Sequence, residues 1–386
     1  MINRTYFTQI KQSILVSINK KRDYYAVHEP IVPNTVNTHL NKVIKSNDIS
    51  STGSYIIKFE EQLKKITKSR YVILTNSGTS ALEMVFRKLG VKDCEVLMPT
   101  MSFVATSNSV LYNNGIPHFI DSMPDNPCID VEKLEEYLTI NFVVKNNHCY
   151  NKKTNRKVKA LLAVHAFGFC ANLTKLKTLC KEYKLELVED AAGAIGSFYG
   201  NKHAGTSSNF GIISFNGNKL VTTGVGGAIL LKSKKDFDSI SHDISTSRIK
   251  HSYEIAHDKV GYNYRMANIN ASIGYTQLLS LDSTLKRKKS LHNRYKENFE
   301  KIDHCKIIGC QKKETPNYWI NNIIFDIQSL DARDKLFNYL HSENIFCRAL
   351  WTPLHTLKMN TKYPKMNLKN ALSLWRRTVS LPSSYI

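Results

Sequence analysis

Short apolar runs alternate with helical patterns through the middle of the chain, over residues 55–255. The expected crossover helices follow from apolar residues at helical spacing, such as Leu173, Leu176, Leu179 and Cys180. Strands separated by helices favour a largely parallel sheet covered on both faces. The runs predict strands at 71–74, 96–98, 118–121, 161–164, 185–188, 212–215 and 228–231.

The pattern differs at both ends of the chain. Residues 1–50 mix charged residues with short apolar stretches and predict an N-terminal arm, followed by a large domain over 51–255. From 256 to 386 the pattern is helical over 268–291, gives a strand at 321–325 and returns to helix, which predicts a smaller α+β C-terminal domain. The polar segment 145–159 is predicted to be a surface loop.

The net charge of +22 raises the question of a nucleic-acid or membrane partner. Most of the charge is dispersed lysine, with two clusters at 152–159 and 286–296, the second of which includes Lys288. Neither cluster interleaves aromatic residues as a stacking platform does. Both are therefore predicted to be solvated basic faces, without a nucleic-acid partner.

Hydropathy and cysteine usage indicate a cytoplasmic protein. No apolar stretch reaches the length of a membrane span, and the N-terminal region lacks the apolar core of a secretory signal. The eight cysteines are scattered without a C-x-x-C pair, so we expect free thiols in a reducing compartment and no metal site.

Lys219 lies in a short polar turn between two apolar strands, in the run Ser-Phe-Asn-Gly-Asn-Lys over 214–219. A lysine held on a rigid turn is typical of residues that form a Schiff base. Asp190 ends an apolar strand upstream, and the carboxyl ends of strands are where open α/β sheets place ligand chemistry. A lysine for a carbonyl and a carboxylate for a pyridinium nitrogen together suggest pyridoxal phosphate.

The segment 75–80 supplies a possible phosphate site. It follows a predicted strand and opens a helix, so backbone N–H groups and the positive end of the helix dipole would favour an anion. Gly78 would permit close approach, and Thr79 or Ser80 would add a hydroxyl. Ordinary helix capping is an equally good interpretation of the same residues.

These segments, in this order, resemble the DegT/DnrJ/EryC1 sugar aminotransferases. The resemblance covers nearly the whole chain and continues through the runs 98–106, 164–168 and 261–270. It implies an α/β fold of the PLP-dependent transferase fold type I, with a mostly parallel sheet between helices in the large domain. Further runs at 28–30, 51–53, 215–219, 317–319 and 382–384 are similar to the branch that aminates C4 of nucleotide-linked 4-keto-6-deoxy sugars, as in legionaminic acid and bacillosamine pathways.

The resemblance implies an enzyme of surface glycan synthesis. It would transfer an amino group from an amino acid donor, expected to be L-glutamate, to C4 of a nucleotide-linked sugar, with UDP as the expected nucleotide. Two alternatives stay open at this point: an aminotransferase that acts on a 3-keto sugar, and a non-catalytic cofactor-binding or regulatory protein of the same fold.

The resemblance also implies roles for individual residues. Lys219 would form the Schiff base with pyridoxal 5′-phosphate and transfer protons, while Asp190 would keep the pyridine nitrogen protonated. Phe103 would stack on the cofactor ring, and Ser214 would help to hold the phosphate. Asn263 would reach the phosphate of a neighbouring subunit, which implies a homodimer with shared active sites. Core packing for Phe103 and a strand-end hydrogen bond for Ser214 are the competing interpretations.

Two positions depart from the family pattern. Gly193 stands where relatives carry Gln, His or Glu, which would leave space beside the cofactor for water or substrate. Val225 stands where relatives often have Glu. His165 is another residue near the predicted site, and we expect it to be a buried, hydrogen-bonded histidine rather than a site residue.

Overall fold

The computed structural model describes residues 4–326 and 328–384, which form twelve α-helices and eighteen strands. In this part of the chain no helix is long and apolar enough to cross a membrane. The helices are α1 (Arg4–Ile18), α2 (Val36–Ser46), α3 (Ser54–Thr67), α4 (Gly78–Leu89), α5 (Val104–Tyr112), α6 (Val131–Asn141), α7 (Leu173–Glu182), α8 (Lys234–Asp243), α9 (Asn268–Leu279), α10 (Leu281–Phe299), α11 (Leu330–Ser342) and α12 (Lys369–Arg377). The strands are β1 (Tyr71–Thr75), β2 (Glu95–Pro99), β3 (Ile116–Ile120), β4 (Ser122–Met123), β5 (Asn126–Ile129), β6 (Phe142–Lys145), β7 (His148–Asn151), β8 (Lys157–Val164), β9 (Glu186–Asp190), β10 (Phe198–Tyr199), β11 (Lys202–His203), β12 (Phe210–Ser214), β13 (Gly227–Leu231), β14 (Cys305–Ile307), β15 (Glu314–Thr315), β16 (Asn322–Phe325), β17 (Arg348–Ala349) and β18 (Thr378–Ser380).

The central sheet follows the order β1-β13-β12-β9-β8-β2-β3. Neighbours along this path are parallel except for β13, which is antiparallel to both β1 and β12. Each strand that the hydrophobic pattern predicts is present, and the mostly parallel sheet is confirmed. The strands read as continuous apolar runs because both of their faces are buried.

One edge of this sheet collects the residues that the sequence singled out. Strands β1, β9 and β12 run in the same direction and end at Thr75, Asp190 and Ser214. Thr75 and Ser214 both pair with Gly227, the first residue of the antiparallel strand between them. The turn after β1 and the end of β12 therefore lie side by side, with the end of β9 next to β12.

The C-terminal part has its own smaller sheet and its own core. Strands β14, β16, β18 and β17 form an antiparallel sheet. Its apolar cluster includes Tyr295 and Phe299 of α10 together with Phe7 and Ile10 of α1, so the first helix of the predicted arm packs on this part. Helix α9 instead packs on α2 and α3. The domain boundaries at 50 and 255 stay predictions.

The predicted surface loop at 145–159 was wrong. Strands β6 and β7 form an antiparallel hairpin there, and β7 pairs with the start of β8. The segment is polar because its inward-facing side chains hydrogen-bond to a carboxylate. The Asn151 amide and the Thr154 hydroxyl donate to Glu95 at 2.9 and 2.6 Å. The polar composition suggested a loop, although these polar side chains belong to a hairpin and bond to Glu95 of β2.

Candidate active site

The loop that carries Lys219 is held firmly by its own backbone and by a neighbouring helix. The Lys219 N–H donates to the Asn216 carbonyl and the Thr223 N–H to the Phe215 carbonyl, both at 2.9 Å. The Thr222 N–H donates to the Gln277 side chain of α9 at 3.1 Å. These bonds fix where the lysine side chain leaves the loop.

The amine of Lys219 is not used to hold the fold together. Among the described residues no oxygen accepts a hydrogen bond from it, and it lies 4.0 Å from the centroid of the Trp319 ring. Burial lowers the pKa of this amine to about 8, although the nearby Asp190 carboxylate acts in the opposite direction. Ammonium and free amine are therefore both present near neutral pH, which suits imine formation and proton transfer.

Asp190 is buried at the end of β9 and faces the same space. One carboxylate oxygen accepts from the Ala192 N–H at 3.0 Å, and the other accepts from the Thr106 hydroxyl at 3.1 Å. Burial raises the pKa of Asp190, while these hydrogen bonds and Lys219 oppose the increase. The Ala192 N–H that Asp190 accepts from lies in a turn, and among the described residues no α-helix begins there, so Asp190 is not a helix N-cap.

His165 belongs to a buried network behind Asp190. Its Nε2 donates to Glu189 at 3.0 Å, and its Nδ1 accepts from the Ala171 N–H at 3.2 Å, so both ring nitrogens are used. Glu189 also accepts from Ser208 and from the Gly205 N–H. Burial alone would raise the pKa of Glu189, but the bonds from His165 and these residues lower it. His165 therefore has the structural role that the sequence suggested.

The turn after β1 contains the helix cap that the sequence allowed, and the anion site stays a prediction. Ser77 caps α4 by accepting from the Ser80 N–H at 3.1 Å, and the Ser80 hydroxyl donates to Asn76 at 2.6 Å. Ser80 is therefore committed to the cap. In the described chain no hydrogen bond occupies the Thr79 hydroxyl, and the N–H groups of Gly78 and Thr79 lie at the free end of the helix.

Close packing around Gly78 leaves no room for a larger residue. A Cβ at this position would lie 3.0 Å from Cβ and 3.3 Å from Oγ of Ser214. A Cβ on Gly227 would lie 2.5 Å from the Ser77 carbonyl carbon. The backbone of the turn is thus pressed against the ends of β12 and β13, and the Ser214 hydroxyl lies beside the first N–H groups of α4.

Phe103 and Asn263 lie on the open side of this arrangement. Phe103 precedes α5 and is 57% exposed, so it is not a core residue; Thr106, one turn later, contacts Asp190. Asn263 is also exposed, and its carbonyl accepts from the Asn76 side chain of the same chain at 3.5 Å. Stacking of Phe103 on the cofactor and the reach of Asn263 into a neighbouring subunit stay predictions.

The space expected beside Gly193 is filled. The indole of Trp319 occupies it: a Cβ on Gly193 would lie 2.6 and 2.7 Å from Cε3 and Cζ3 of that ring. The Asn317 amide ties the same region together by donating to the carbonyls of Gly193 and Ile195 at 3.0 and 2.8 Å. The expectation of room for water or substrate was therefore wrong. Val225 is exposed.

Lys288 is not part of a solvated face, contrary to the sequence prediction for the cluster 286–296. It is fully buried on α10 and donates to the Trp319 carbonyl at 2.6 Å and to the Ser383 carbonyl. Burial lowers its pKa well below the ordinary value of a lysine. Its amine therefore links the backbones of two C-terminal segments by hydrogen bonds.

Four of the sequence runs that resemble the C4 branch meet beside Lys219. The Asn218 carbonyl accepts from Nδ1 of His28 and from the Trp319 indole N–H, both at 3.0 Å. The Ser383 N–H donates to the Val27 carbonyl at 2.7 Å. Burial lowers the pKa of His28 well below its ordinary value, so its ring is neutral, and its Nε2 is buried without a partner among the described residues.

The residues present fit pyridoxal phosphate. The free end of α4 at Gly78 and Thr79, with Ser214 beside it, offers N–H and hydroxyl donors for a phosphate. Lys219 offers an amine that donates no hydrogen bond to any described group, and Asp190 offers a buried carboxylate for a ring nitrogen. The three parts lie on one edge of the central sheet, where β1, β9 and β12 end.

Comparison with known proteins identifies the family of the chain. The chain is 31% identical over 362 residues to GDP-perosamine synthase of Escherichia coli O157:H7, covering 93% of each protein. It is 27% identical over 360 residues to a UDP-4-amino-4,6-dideoxy-N-acetyl-β-L-altrosamine transaminase of Campylobacter jejuni, covering 92% of this chain and 91% of that one. Its fold matches that of Helicobacter pylori PseC, an aminotransferase of pseudoaminic acid biosynthesis, with a TM-score of 0.84 at 22% identity over 93% and 94% of the two chains. Residues 31–385 match the profile of the DegT/DnrJ/EryC1/StrS aminotransferase family, and the chain therefore belongs to this family of pyridoxal-phosphate-dependent sugar aminotransferases.

Proposed function

We propose that this enzyme transfers the amino group of L-glutamate to C4 of a UDP-linked 4-keto-6-deoxy sugar. The observation that carries the proposal is the buried Lys219 amine, which donates no hydrogen bond to a described residue and lies in one space with the Asp190 carboxylate. The name of the Campylobacter jejuni relative, which specifies a 4-amino-4,6-dideoxy product, supports the position. A cytoplasmic location is part of the proposal, because all eight cysteines are free thiols.

The chain's own residues divide the work of the reaction. When bound, pyridoxal phosphate supplies an electron sink for the bond that breaks at the donor's Cα. Asp190 would keep the ring nitrogen protonated, because a buried carboxylate beside it favours the charged pyridinium form. The free amine of Lys219 would accept the Cα proton and deliver it to C4′ of the cofactor, and it would move a proton in the opposite direction in the second half of the reaction. Thr106 keeps the Asp190 carboxylate oriented.

Convergence around Asn218 supports the narrower choice of substrate. The runs that resemble the C4 branch are far apart in sequence, yet His28 and Trp319 both donate to the carbonyl next to Lys219. Residues that distinguish the C4 branch from other branches of the family would select the sugar most directly where they lie beside the Lys219 amine. We infer that these residues form the wall on which the sugar is placed.

A homodimer with shared sites is the second part of the proposal. The segment before Asn263 carries apolar side chains that are strongly exposed in the single chain: Tyr253 by 83%, Ile255 by 74% and Val260 by 78%. Exposed apolar side chains grouped on one segment are typical of protein interfaces. A second copy covering them would bring Asn263 close to the partner's phosphate site.

The substrate proposal is tested with 15N-glutamate and a panel of keto sugars. The panel contains UDP- and GDP-linked 4-keto-6-deoxy sugars and a nucleotide-linked 3-keto sugar, with products identified by mass spectrometry. We expect 15N to enter the UDP-linked 4-keto sugar, and Lys219→Ala serves as the inactive control. Transfer only to the 3-keto sugar would overturn the position, and transfer only to the GDP-linked sugar would overturn the nucleotide. No transfer and no formation of 2-oxoglutarate would favour the non-catalytic alternative.

The shared site is tested by mixing two inactive variants, Lys219→Ala and Asn263→Ala. If Asn263 acts across the interface, each mixed dimer contains one intact site, so random exchange restores about a quarter of the sites. If Asn263 acts within its own chain, beside Asn76, a mixed dimer contains no intact site. Proven subunit exchange without recovered activity would therefore contradict the shared site and leave the substrate proposal untouched.

A further inference from the structure

The Trp319 ring forms one wall of the space around the Lys219 amine. The amine nitrogen lies 4.0 Å from the ring centroid, within the distance at which a cation is attracted to an aromatic face. The ring is almost completely buried, and its indole N–H donates to the Asn218 carbonyl, the residue that precedes Lys219. The same side chain thus contacts the amine and the loop that carries it.

The ring is fixed from several directions. Its backbone N–H donates to the Asn317 side chain at 2.9 Å, and its carbonyl accepts from Lys288 at 2.6 Å. Phe167 stacks nearly parallel to it with ring centroids 6.5 Å apart, and Phe167 in turn stacks on Trp351 at 4.1 Å. The indole therefore has little freedom to move away from Lys219.

Gly193 lies against the outer edge of the same ring. A Cβ at 193 would lie 2.6 Å from Cε3, well inside the separation of about 3.5–4.0 Å at which carbon atoms attract each other. The Gly193 carbonyl also accepts from Asn317, which holds the Trp319 backbone. Any side chain at 193 would have to displace the indole.

We propose that Trp319 is a positioning residue for the Lys219 amine, and that position 193 must be glycine because the indole occupies the volume of its side chain. The ring face holds the ammonium form in place. Substitution at 193 then acts on Lys219 through displacement of Trp319.

The first test measures the proton affinity of Lys219 without any activity. Full-length protein freed of cofactor is labelled with trace acetic anhydride over a range of pH, and the Lys219 peptide is quantified by mass spectrometry. Wild type should reach half of its maximal rate near pH 8, and Trp319→Phe should stay close to that value because it keeps an aromatic face. Trp319→Leu keeps apolar contact but loses the face that favours the ammonium, so its midpoint should fall by about half a pH unit or more. An unchanged or raised midpoint in Trp319→Leu would overturn the proposal.

The second test asks whether positions 193 and 319 act together. Gly193→Ala should lower kcat by about tenfold in the wild-type background, because the indole is displaced. In the Trp319→Leu background the smaller side chain leaves room for the new methyl group, so Gly193→Ala should change kcat by less than about twofold. Gly309→Ala is the control, since a Cβ there meets no atom within 4 Å.

If Gly193→Ala lowers kcat equally in the wild-type and Trp319→Leu backgrounds, position 193 does not act through Trp319 and the proposal is contradicted. If the single variant does not fold, the comparison moves to thermal unfolding. The double variant should then fold with the midpoint of Trp319→Leu, and failure of the double variant to fold would also count against the proposal.

Discussion

Two buried lysines approach Trp319 from different sides, and their surroundings assign them different tasks. Lys288 donates to the backbone carbonyls of Trp319 and Ser383. Lys219 meets the face of the Trp319 ring and the field of Asp190, without a hydrogen-bond acceptor among the described residues. Burial lowers the pKa of both amines. What faces the nitrogen decides whether a buried lysine serves the fold or the reaction.

The largest expected difference between them is catalytic. Lys219→Ala should reduce transamination by about 10³-fold or more, because it removes both the imine-forming amine and the proton carrier. Lys289→Ala, at an exposed position next to Lys288, is the control and should retain activity. Amination assays on both variants decide the matter, and wild-type turnover by Lys219→Ala would refute the assignment of the catalytic residue.

Lys288→Met should show the reverse profile, with its main effect on the fold. Its loss leaves two buried carbonyl groups without their donor, which should lower the free energy of unfolding by about 2 kcal/mol. Lys289→Met should remain within about 0.5 kcal/mol of wild type, because its side chain is exposed. Urea unfolding of the three proteins measures the difference. Equal stability of the two variants would mean that the two hydrogen bonds of Lys288 do not stabilise the fold.

A smaller effect is expected at Thr106, which touches the carboxylate on the other side of the site. Thr106→Val removes the hydroxyl that donates to Asp190, a charged acceptor, and should lower kcat by about tenfold. Thr276→Val is a matched control, since that hydroxyl bonds only to the Ser272 carbonyl of its own helix in the described chain. A similar loss in both variants would indicate general destabilisation instead of a role for Thr106 at Asp190.

The smallest effect concerns the pH dependence of stability. Burial lowers the pKa of Lys288 in the folded protein, so the unfolded chain binds the additional proton. The stability of wild type relative to Lys288→Met should therefore rise with pH, up to the ordinary lysine pKa of about 10.4. Urea unfolding at several alkaline pH values tests the sign, and a relative stability that falls over this range would contradict the burial of a titrating amine at 288.

The parts of the site that sequence could predict depend on local patterns. Strand ends, a polar turn and a helix start located Asp190, Lys219 and the turn at Gly78, because each is defined by residues close to it in the chain. The two interpretations of that turn could not be separated until the Ser80 hydroxyl was found within the cap. The prediction that the turn binds an anion therefore now rests on Gly78 and Thr79.

The parts that sequence missed depend on contacts between distant segments. The run of charges around Lys288 predicted a solvent-exposed face. The buried face of the helix was nevertheless marked by the spacing of Thr284, Lys288, Leu291 and Tyr295. That periodicity was the available signal. No local pattern links Gly193 to Trp319, but a glycine can mark the close approach of another group, and here that group is the indole.

The most direct test is to find which lysine holds the cofactor. Loaded protein is reduced with borohydride, which fixes the cofactor to the amine that carries it, then digested and analysed by mass spectrometry. The contrast between the two buried lysines predicts a pyridoxyl group on the Lys219 peptide and none on the Lys288 peptide. Attachment at Lys288, or at neither residue, would contradict the central claim.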